Sequence, residues 1–303
     1  MRWKLINKRY GFSGRFTTTH IVVGWSNGYN VVVEGLKGCL ELANVEQADV
    51  VADVHRAYLQ AGADIITTNT TCADALCLKQ YGLSERAREL AKAGAELAKR
   101  VADEFSTTLQ SRYVAGSVGP TTRNLTLAND VTAEELAATY ADVIGGLIEG
   151  GVDLILIETA MDAANVRIAI EECRKINSEI PIVVSAVLSR IAGRVASGAT
   201  IDKFLEDIPL DEVSVVGFNC SNGVKAAEES LKMLAAKCDK PLILYPSAGQ
   251  PVVAANRFAK EMEALCRAGL LNIVGGCCGT TPAYTESMAK MVQRWRPRKT
   301  GKN

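Results

Sequence analysis

Cys277 and Cys278 stand side by side in Gly275-Gly-Cys-Cys-Gly279, and Cys220 closes the run Gly217-Phe-Asn-Cys220. Adjacent cysteines seldom bond to each other, because the eight-membered ring so formed is strained. Both can bind one soft ion where the backbone bends, and the glycines at 275, 276 and 279 permit that bend. Thr281-Pro282 then supplies an N-cap and a first helical residue, and a helix N-terminus lowers the pKa of a nearby thiol. A tight turn, or a phosphate cradle, is the alternative use of such a stretch. A cradle needs only backbone N–H groups and gains nothing from two thiols. With Cys220 added, three thiolates favour zinc over a hard cation. Zinc on three thiolates is formally negative, so it activates water poorly and makes a poor hydrolase centre. Its open fourth position suits a substrate thiol, which it deprotonates while leaving the sulfur nucleophilic. The chemistry so indicated is S-alkylation of a thiol.

The elements that must position these residues alternate along the chain of 303 residues. Nearly continuous apolar runs predict strands over 64–68, 113–117, 153–157, 181–185, 213–217, 241–245 and 271–275, each suited to a parallel strand buried on both faces. Amphipathic stretches predict helices over 48–61, 84–104, 133–150, 163–177, 224–238, 255–268 and 282–295, with a shorter one over 201–208. Glycine ends several of these helices, as in Ala61-Gly62, Gly150-Gly151 and Ala268-Gly269, where a left-handed residue suits the C-terminus. Seven βα units follow, and a first strand near 19–23 makes eight. That arithmetic is an α/β fold of the (β/α)8 TIM-barrel kind. The competing open doubly wound sheet usually carries a glycine-rich phosphate fingerprint after its first strand, and none stands there. In a barrel the C-terminal strand ends line the site. They read Thr68-Asn69-Thr70, Gly119-Pro-Thr121, Glu158-Thr159, Gly217–Ser221, Pro246-Ser247-Ala-Gly249 and Gly275–Gly279. Three cysteines therefore converge on one mouth from two strands.

Composition removes other classes. Hydrophobic residues at 48% and charged residues at 22% are ordinary for a globular chain, which excludes disorder. Lys+Arg 34 against Asp+Glu 34 leaves no cationic field for a nucleic-acid partner. No run approaches the roughly 18 apolar residues of a membrane span. The basic first ten residues lack a signal peptide's apolar core, so the expected location is the cytoplasm. Nine unevenly spaced cysteines do not make a secreted disulfide framework. The two histidines, His20 and His55, sit at no confident strand end, which argues against triad and His-zinc hydrolases. Asp53-Val-His55 starts like a corrinoid-binding Asp-x-His-x-x-Gly, but Tyr58 stands at the sixth position. Cys72, Cys77, Cys173, Cys238 and Cys266 read as core or surface residues, with Cys72 nearest the site.

Gly217-Phe-Asn-Cys-Ser221 followed by Gly275-Gly-Cys-Cys-Gly-Thr-Thr-Pro282 resembles the homocysteine S-methyltransferase family. Within it the nearest likeness is to the homocysteine-binding module of cobalamin-dependent methionine synthase. His55–Thr70, Ala115–Thr121, Gly151–Thr159 and Pro246–Gly249 support it, and the likeness spans about 39–292. The resemblance implies a TIM barrel with zinc on Cys220, Cys277 and Cys278. It also implies Glu158 against the amino group of homocysteine, with Asn69, Thr70 and Ser247 as further substrate contacts. The organisation expected is an atypical segment 1–38, a homocysteine-binding barrel 39–292 and a solvated basic tail 293–303. Three departures stand out. Val23-Gly-Trp-Ser-Asn-Gly28 lacks the aspartate of the family's Asp-Gly-x-x-Gly-Thr, Thr71-Cys72 replaces a Phe-Gly, and Ser247 replaces an asparagine. The activity implied is methyl transfer to homocysteine, giving methionine, from an external donor. The first choice is methylcobalamin supplied in trans by a separate corrinoid protein; S-methylmethionine or betaine is the alternative. A non-catalytic zinc- and thiol-binding descendant, or a redox protein using Cys277-Cys278, are the other readings.

Overall fold

The computed structural model describes residues 21–24, 36 and 38–301. His20, Trp25–Gly28 and most of the atypical segment 1–38 lie outside the described residues. Seven strands run parallel in chain order, each paired with the next: β2 (Ile65–Thr67), β3 (Tyr113–Val118), β4 (Leu154–Ala160), β5 (Ile182–Val187), β6 (Val215–Cys220), β7 (Leu242–Pro246) and β8 (Ile273–Gly275). They form a curled sheet of the TIM-like α/β kind expected. A short β1 (Ile21–Gly24) pairs parallel with β2 through Val23 and Ile65, and with β8 through Ile21 and Ile273.

Ten α-helices occupy the described residues: α1 (Ala43–Glu46), α2 (Ala48–Gln60), α3 (Ala75–Leu78), α4 (Ala87–Phe105), α5 (Ala133–Glu149), α6 (Ala163–Ile176), α7 (Ile201–Asp207), α8 (Val224–Lys237), α9 (Ala255–Arg267) and α10 (Pro282–Val292). The longer ones start and end within about three residues of the sequence expectation, for local reasons. Thr132 and Glu135 form a full capping box at the start of α5. Leu90, Ala91, Ala95, Ala98 and Ala102 give α4 one buried face at helical spacing. Gly62, Gly151 and Gly269 hold φ values of +96°, +84° and +68° at the helix-to-strand joints. Short α1 and α3, and the single turn at Leu40–Leu42, had no signal in the apolar periodicity. No helix among the described residues is long and apolar enough to cross a membrane.

Strand alternation divides the core in two. Outward residues such as Ile66, Val114, Ile155, Val184, Val216 and Leu244 join the helices in one large cluster. Inward residues Ile65, Ala115, Leu154, Leu156, Val183, Val215, Ile243 and Ile273 form a smaller apolar floor inside the curl, which continues upward to Tyr245 and Cys277. The floor excludes water beneath whatever the mouth holds.

In the basic tail, Arg294, Arg296 and Lys299 are exposed, while Trp295, Pro297 and Arg298 pack back onto the fold. Arg298 N donates to Leu271 O at 2.9 Å, and its guanidinium donates to Ala235 O at 2.9 Å and Cys238 O at 2.5 Å. Asn272 and Trp295 add bonds to Arg298 O and Glu263. Buried apolar neighbours and unsatisfied carbonyls outweigh the solvation of one charge, so the segment docks beside the starts of β7 and β8, at the end opposite the mouth.

Candidate active site

Above the apolar floor the inward positions turn polar. Continuing the alternation past Leu154 and Leu156 aims Glu158 inward. The matching positions on neighbouring strands are Thr67, Ser117, Ser185 and Asn219, and with Glu158 all are 0% exposed. Desolvated polar groups need partners, and this layer supplies its own. Ser117 Oγ donates to Glu158 Oε1, Thr71 Oγ1 reaches the same oxygen at 3.3 Å, and the Tyr245 hydroxyl donates to Oε2 at 3.3 Å. These donors pull the Glu158 pKa down, but burial outweighs them and pushes it up to about 8. Burial and the neighbouring Glu158 raise the Tyr245 phenol well above its usual range.

Asn219 joins the polar layer to the sulfurs. Its Oδ1 accepts from Thr159 N and Ser185 Oγ, both at 2.9 Å. Its Nδ2 donates to Thr159 Oγ1 at 2.9 Å and to Cys220 Sγ at 3.5 Å. β6 can carry this residue so close to β7 because Gly217 has no Cβ; one placed there would meet Ile243 O at 1.8 Å. At the strand ends the backbone is strained. Thr159, Cys220 and Ser221 have φ of +57°, +54° and +53°, a left-handed region that costs a non-glycine residue about 1–3 kcal/mol. At β6 this turn swings Cys220, which would otherwise face outward, over the mouth.

Backbone bonds fasten the two loops that carry sulfur to the β7 loop between them. Ser247 N donates to Cys220 O at 2.7 Å, Cys277 N to Pro246 O at 2.8 Å, and Ala248 N to Cys278 O at 2.8 Å. Cys220 Sγ then lies 3.0 Å from Cys277 Sγ and 3.9 Å from Cys278 Sγ, and the last two are 3.7 Å apart. Among the described residues this is the one group of three Cys, His, Asp or Glu side chains close enough to share a metal ion. The donor set fits zinc. Zn–S bonds of about 2.3 Å in a tetrahedron place sulfurs roughly 3.8 Å apart, matched by two of the three separations. Three sulfurs this close cannot all ionise by themselves. Hydrogen bonds from the other two push the exposed Cys278 thiol down, while Cys220 and the buried Cys277 are pushed up. A divalent soft cation relieves that conflict.

The remaining sequence candidates fall in different places. Asn69 and Thr70 are each 1% exposed, and their side chains are committed to the wall. Asn69 Nδ2 donates to Leu40 O at 2.8 Å, and Thr70 Oγ1 to Ser117 O at 2.7 Å. The next residue, Thr71, is the one whose hydroxyl reaches Glu158. Ser247 stands at the mouth with its hydroxyl donated to Ser221 O at 2.5 Å. Ser117, Ser185, Asn219 and Tyr245 escaped the sequence reading. Their signal was a lone polar group in phase with Glu158 within each apolar strand. His55 is fully buried in α2 with neither ring nitrogen hydrogen-bonded, and burial lowers its pKa to about 4.

Fold and site together define a barrel enzyme with a thiol-rich mouth. Residues 19–292 match the homocysteine S-methyltransferase family model, and the chain belongs to that family. It is a methyltransferase, of a family whose substrate is homocysteine. Among solved structures, the metallated homocysteine methyltransferase MmuM from Escherichia coli shares 21% identity at a TM-score of 0.77, over 93% of this chain and 98% of that one. Its oxidized form gives 20% identity and a TM-score of 0.78, over 94% and 99%. These likenesses show the shared fold.

Proposed function

We propose that the chain moves a methyl group from an external donor to the sulfur of homocysteine, giving methionine, with zinc on Cys220, Cys277 and Cys278. One observation carries the reading: three sulfurs from two strand ends meet at the same mouth as a buried inward carboxylate, in a chain of this family. When bound, zinc supplies a thiolate from the substrate thiol at neutral pH. The protein's own groups do the rest. Asn219 donates to Cys220 Sγ and so orients that sulfur. Glu158, held by Ser117, Thr71 and Tyr245, is protonated at neutral pH before substrate arrives. It then releases its proton to solvent and becomes the partner for the substrate ammonium, whose charge offsets the burial that raised its pKa. Asn69 and Thr70 support the substrate end of the pocket by fixing the loop that carries Thr71, and Ser247 shapes the wall beside Cys220. The apolar floor keeps water from beneath the sulfur. The pairing of β1 with both β2 and β8 supports reading the whole as a (β/α)8 barrel that spans 39–292 together with its first strand.

The donor reaches the sulfur through the open C-terminal mouth. We favour a methylcorrinoid on a separate protein, with a sulfonium or ammonium compound such as S-methylmethionine or betaine as the alternative, and the cytoplasm as the location. The test is methionine formation from homocysteine with each donor, in zinc-loaded and zinc-stripped protein. Methylcobalamin should give a slow, zinc-dependent rate, since a free cofactor lacks a docked carrier's effective concentration. Ready use of S-methylmethionine, with methylcobalamin no better than the zinc-free blank, would overturn the donor assignment.

A further inference from the structure

A second gathering of thiols lies in the loop from β2 into α3. Cys72 stands in the loop, Cys77 in α3, and the turn at Leu40–Leu42 brings Cys39 and Glu41 beside them. Glu41 ties the group together. Its Oε1 accepts from Cys72 N at 3.0 Å, and its Oε2 accepts from Cys39 Sγ at 3.9 Å. Asp74 caps α3, Oδ1 accepting from Cys77 N at 2.9 Å. Its other oxygen, Oδ2, is buried without a hydrogen-bond partner, in a residue only 4% exposed. The Cys77 thiol, in a residue 3% exposed, is directed at Pro120 O at 3.9 Å, with the Asp74 carboxyl and the Cys72 thiol among its neighbours. Cys72 itself is exposed.

This arrangement differs in kind from the trio at the mouth. Its sulfurs and carboxylates do not converge on one point as the metal-binding set does. It offers instead one thiol that solvent can reach, one buried thiol five residues along the same loop-to-helix turn, and between them one buried carboxylate oxygen without a hydrogen-bond partner. Those are the parts of a dithiol that closes on oxidation. We propose that Cys72 and Cys77 form a redox-sensitive pair that oxidises to an intramolecular disulfide, with Asp74 as proton acceptor for Cys77.

With hydrogen peroxide as oxidant, the Cys72 thiolate attacks one peroxide oxygen. An S–O bond forms and the O–O bond breaks. The departing hydroxide takes the proton that Cys72 gave up and leaves as water, so Cys72 is now a sulfenic acid. Asp74 Oδ2 then accepts the Cys77 proton, and the Cys77 sulfur attacks that of Cys72. The S–S bond forms, the S–O bond breaks, and hydroxide leaves with the proton from Asp74 as a second water. Two thiols and one peroxide become one disulfide and two waters. Cys72 directly follows Thr71, whose hydroxyl reaches Glu158 at 3.3 Å. Neither the family's pattern nor the methyl-transfer reading requires it.

The test uses the full-length, zinc-loaded protein and substoichiometric hydrogen peroxide. Remaining thiols are alkylated, and the protein is digested with trypsin without reduction. The peptide 57–79 contains both Cys72 and Cys77. It should appear unalkylated and two hydrogens lighter before any zinc leaves the mouth. Asp74→Asn should slow closure by roughly 100-fold, the lower range for loss of a general base. Cys77→Ser should leave Cys72 as a sulfenic acid that dimedone traps. A 57–79 peptide still doubly alkylated after the mouth cysteines have oxidised would overturn the proposal, and so would Cys72 joined to Cys39.

Discussion

Two sets of three cysteines lie at the same end of this barrel and have little else in common. Cys220, Cys277 and Cys278 come from two strand ends, and their sulfurs meet within 3.9 Å. Cys39, Cys72 and Cys77 come from one loop and the turn beside it, and they are interleaved with Glu41 and Asp74. In the first set each sulfur's nearest polar neighbour is another sulfur, and the one side-chain donor to the group, Asn219, is neutral, so the group is short of positive charge. In the second, buried carboxylates already sit beside the thiols, and desolvation raises Cys39, Glu41 and Asp74 alike. Convergence without acids selects a cation. A buried proton acceptor between two neighbouring thiols suits thiol chemistry. The number of cysteines decides neither.

The largest effect should come from the mouth. Cys277→Ala/Cys278→Ala should take zinc from one per chain to none, while Cys72→Ala/Cys77→Ala and Cys173→Ala keep it. Elemental analysis showing full zinc in the first double variant would erase the contrast. Next in size is the carboxylate beneath. Glu158→Gln should leave zinc in place and weaken homocysteine binding by roughly 10- to 150-fold, since a buried charge-assisted bond contributes about 1.5–3 kcal/mol. Calorimetry with unchanged affinity would remove Glu158 from the substrate site.

A smaller effect is expected from pH. Burial raises the folded-state pKa of Glu158 to about 8, so between the ordinary carboxylate range and 8 the folded protein holds a proton that the unfolded chain has released. Stability from this group is therefore complete below the ordinary range and lost as pH rises through 8. Urea midpoints should shift in favour of Glu158→Gln as pH rises from about 5 to about 9; a constant gap between the two proteins would contradict the burial argument. The smallest effect is at the opposite end. Arg298→Ala should cost about 1 kcal/mol through its lost bonds to carbonyl groups, and should change neither zinc content nor homocysteine affinity. A change in either would mean that the two ends of the barrel are coupled.

Much of this was legible in the sequence because parallel strands announce themselves as apolar runs. The seven strands from β2 to β8 appear where Ile65-Ile66, Leu154–Ile157 and Leu242–Leu244 predicted them. The placing of Cys220, Cys277 and Cys278 followed, since strand ends fix the mouth. The polar layer was harder to see. Ser117, Ser185 and Asn219 are single hydrophilic residues in apolar strands, and only the inward phase shared with Glu158 marks them. The loop trio was out of reach. Cys39 meets Cys72 through one short turn and tertiary packing, neither of which leaves a periodic trace. The docking of Arg298 was hidden for a related reason: the residue is charged, and what holds its side chain is a pair of carbonyl groups from residues 235 and 238.

The bonds from Ser247 N to Cys220 O, from Cys277 N to Pro246 O and from Ala248 N to Cys278 O use only peptide groups. Folding and loading are thereby separate events. In small zinc domains the free energy of binding is the free energy of folding, and a chelator denatures them. Here a chelator should act as a reversible inhibitor: helix content should persist when it is added, and readdition of zinc should restore turnover without a refolding lag. The same independence would let other thiophilic ions exchange into the three-sulfur seat, so supply as well as affinity would select the ion it holds.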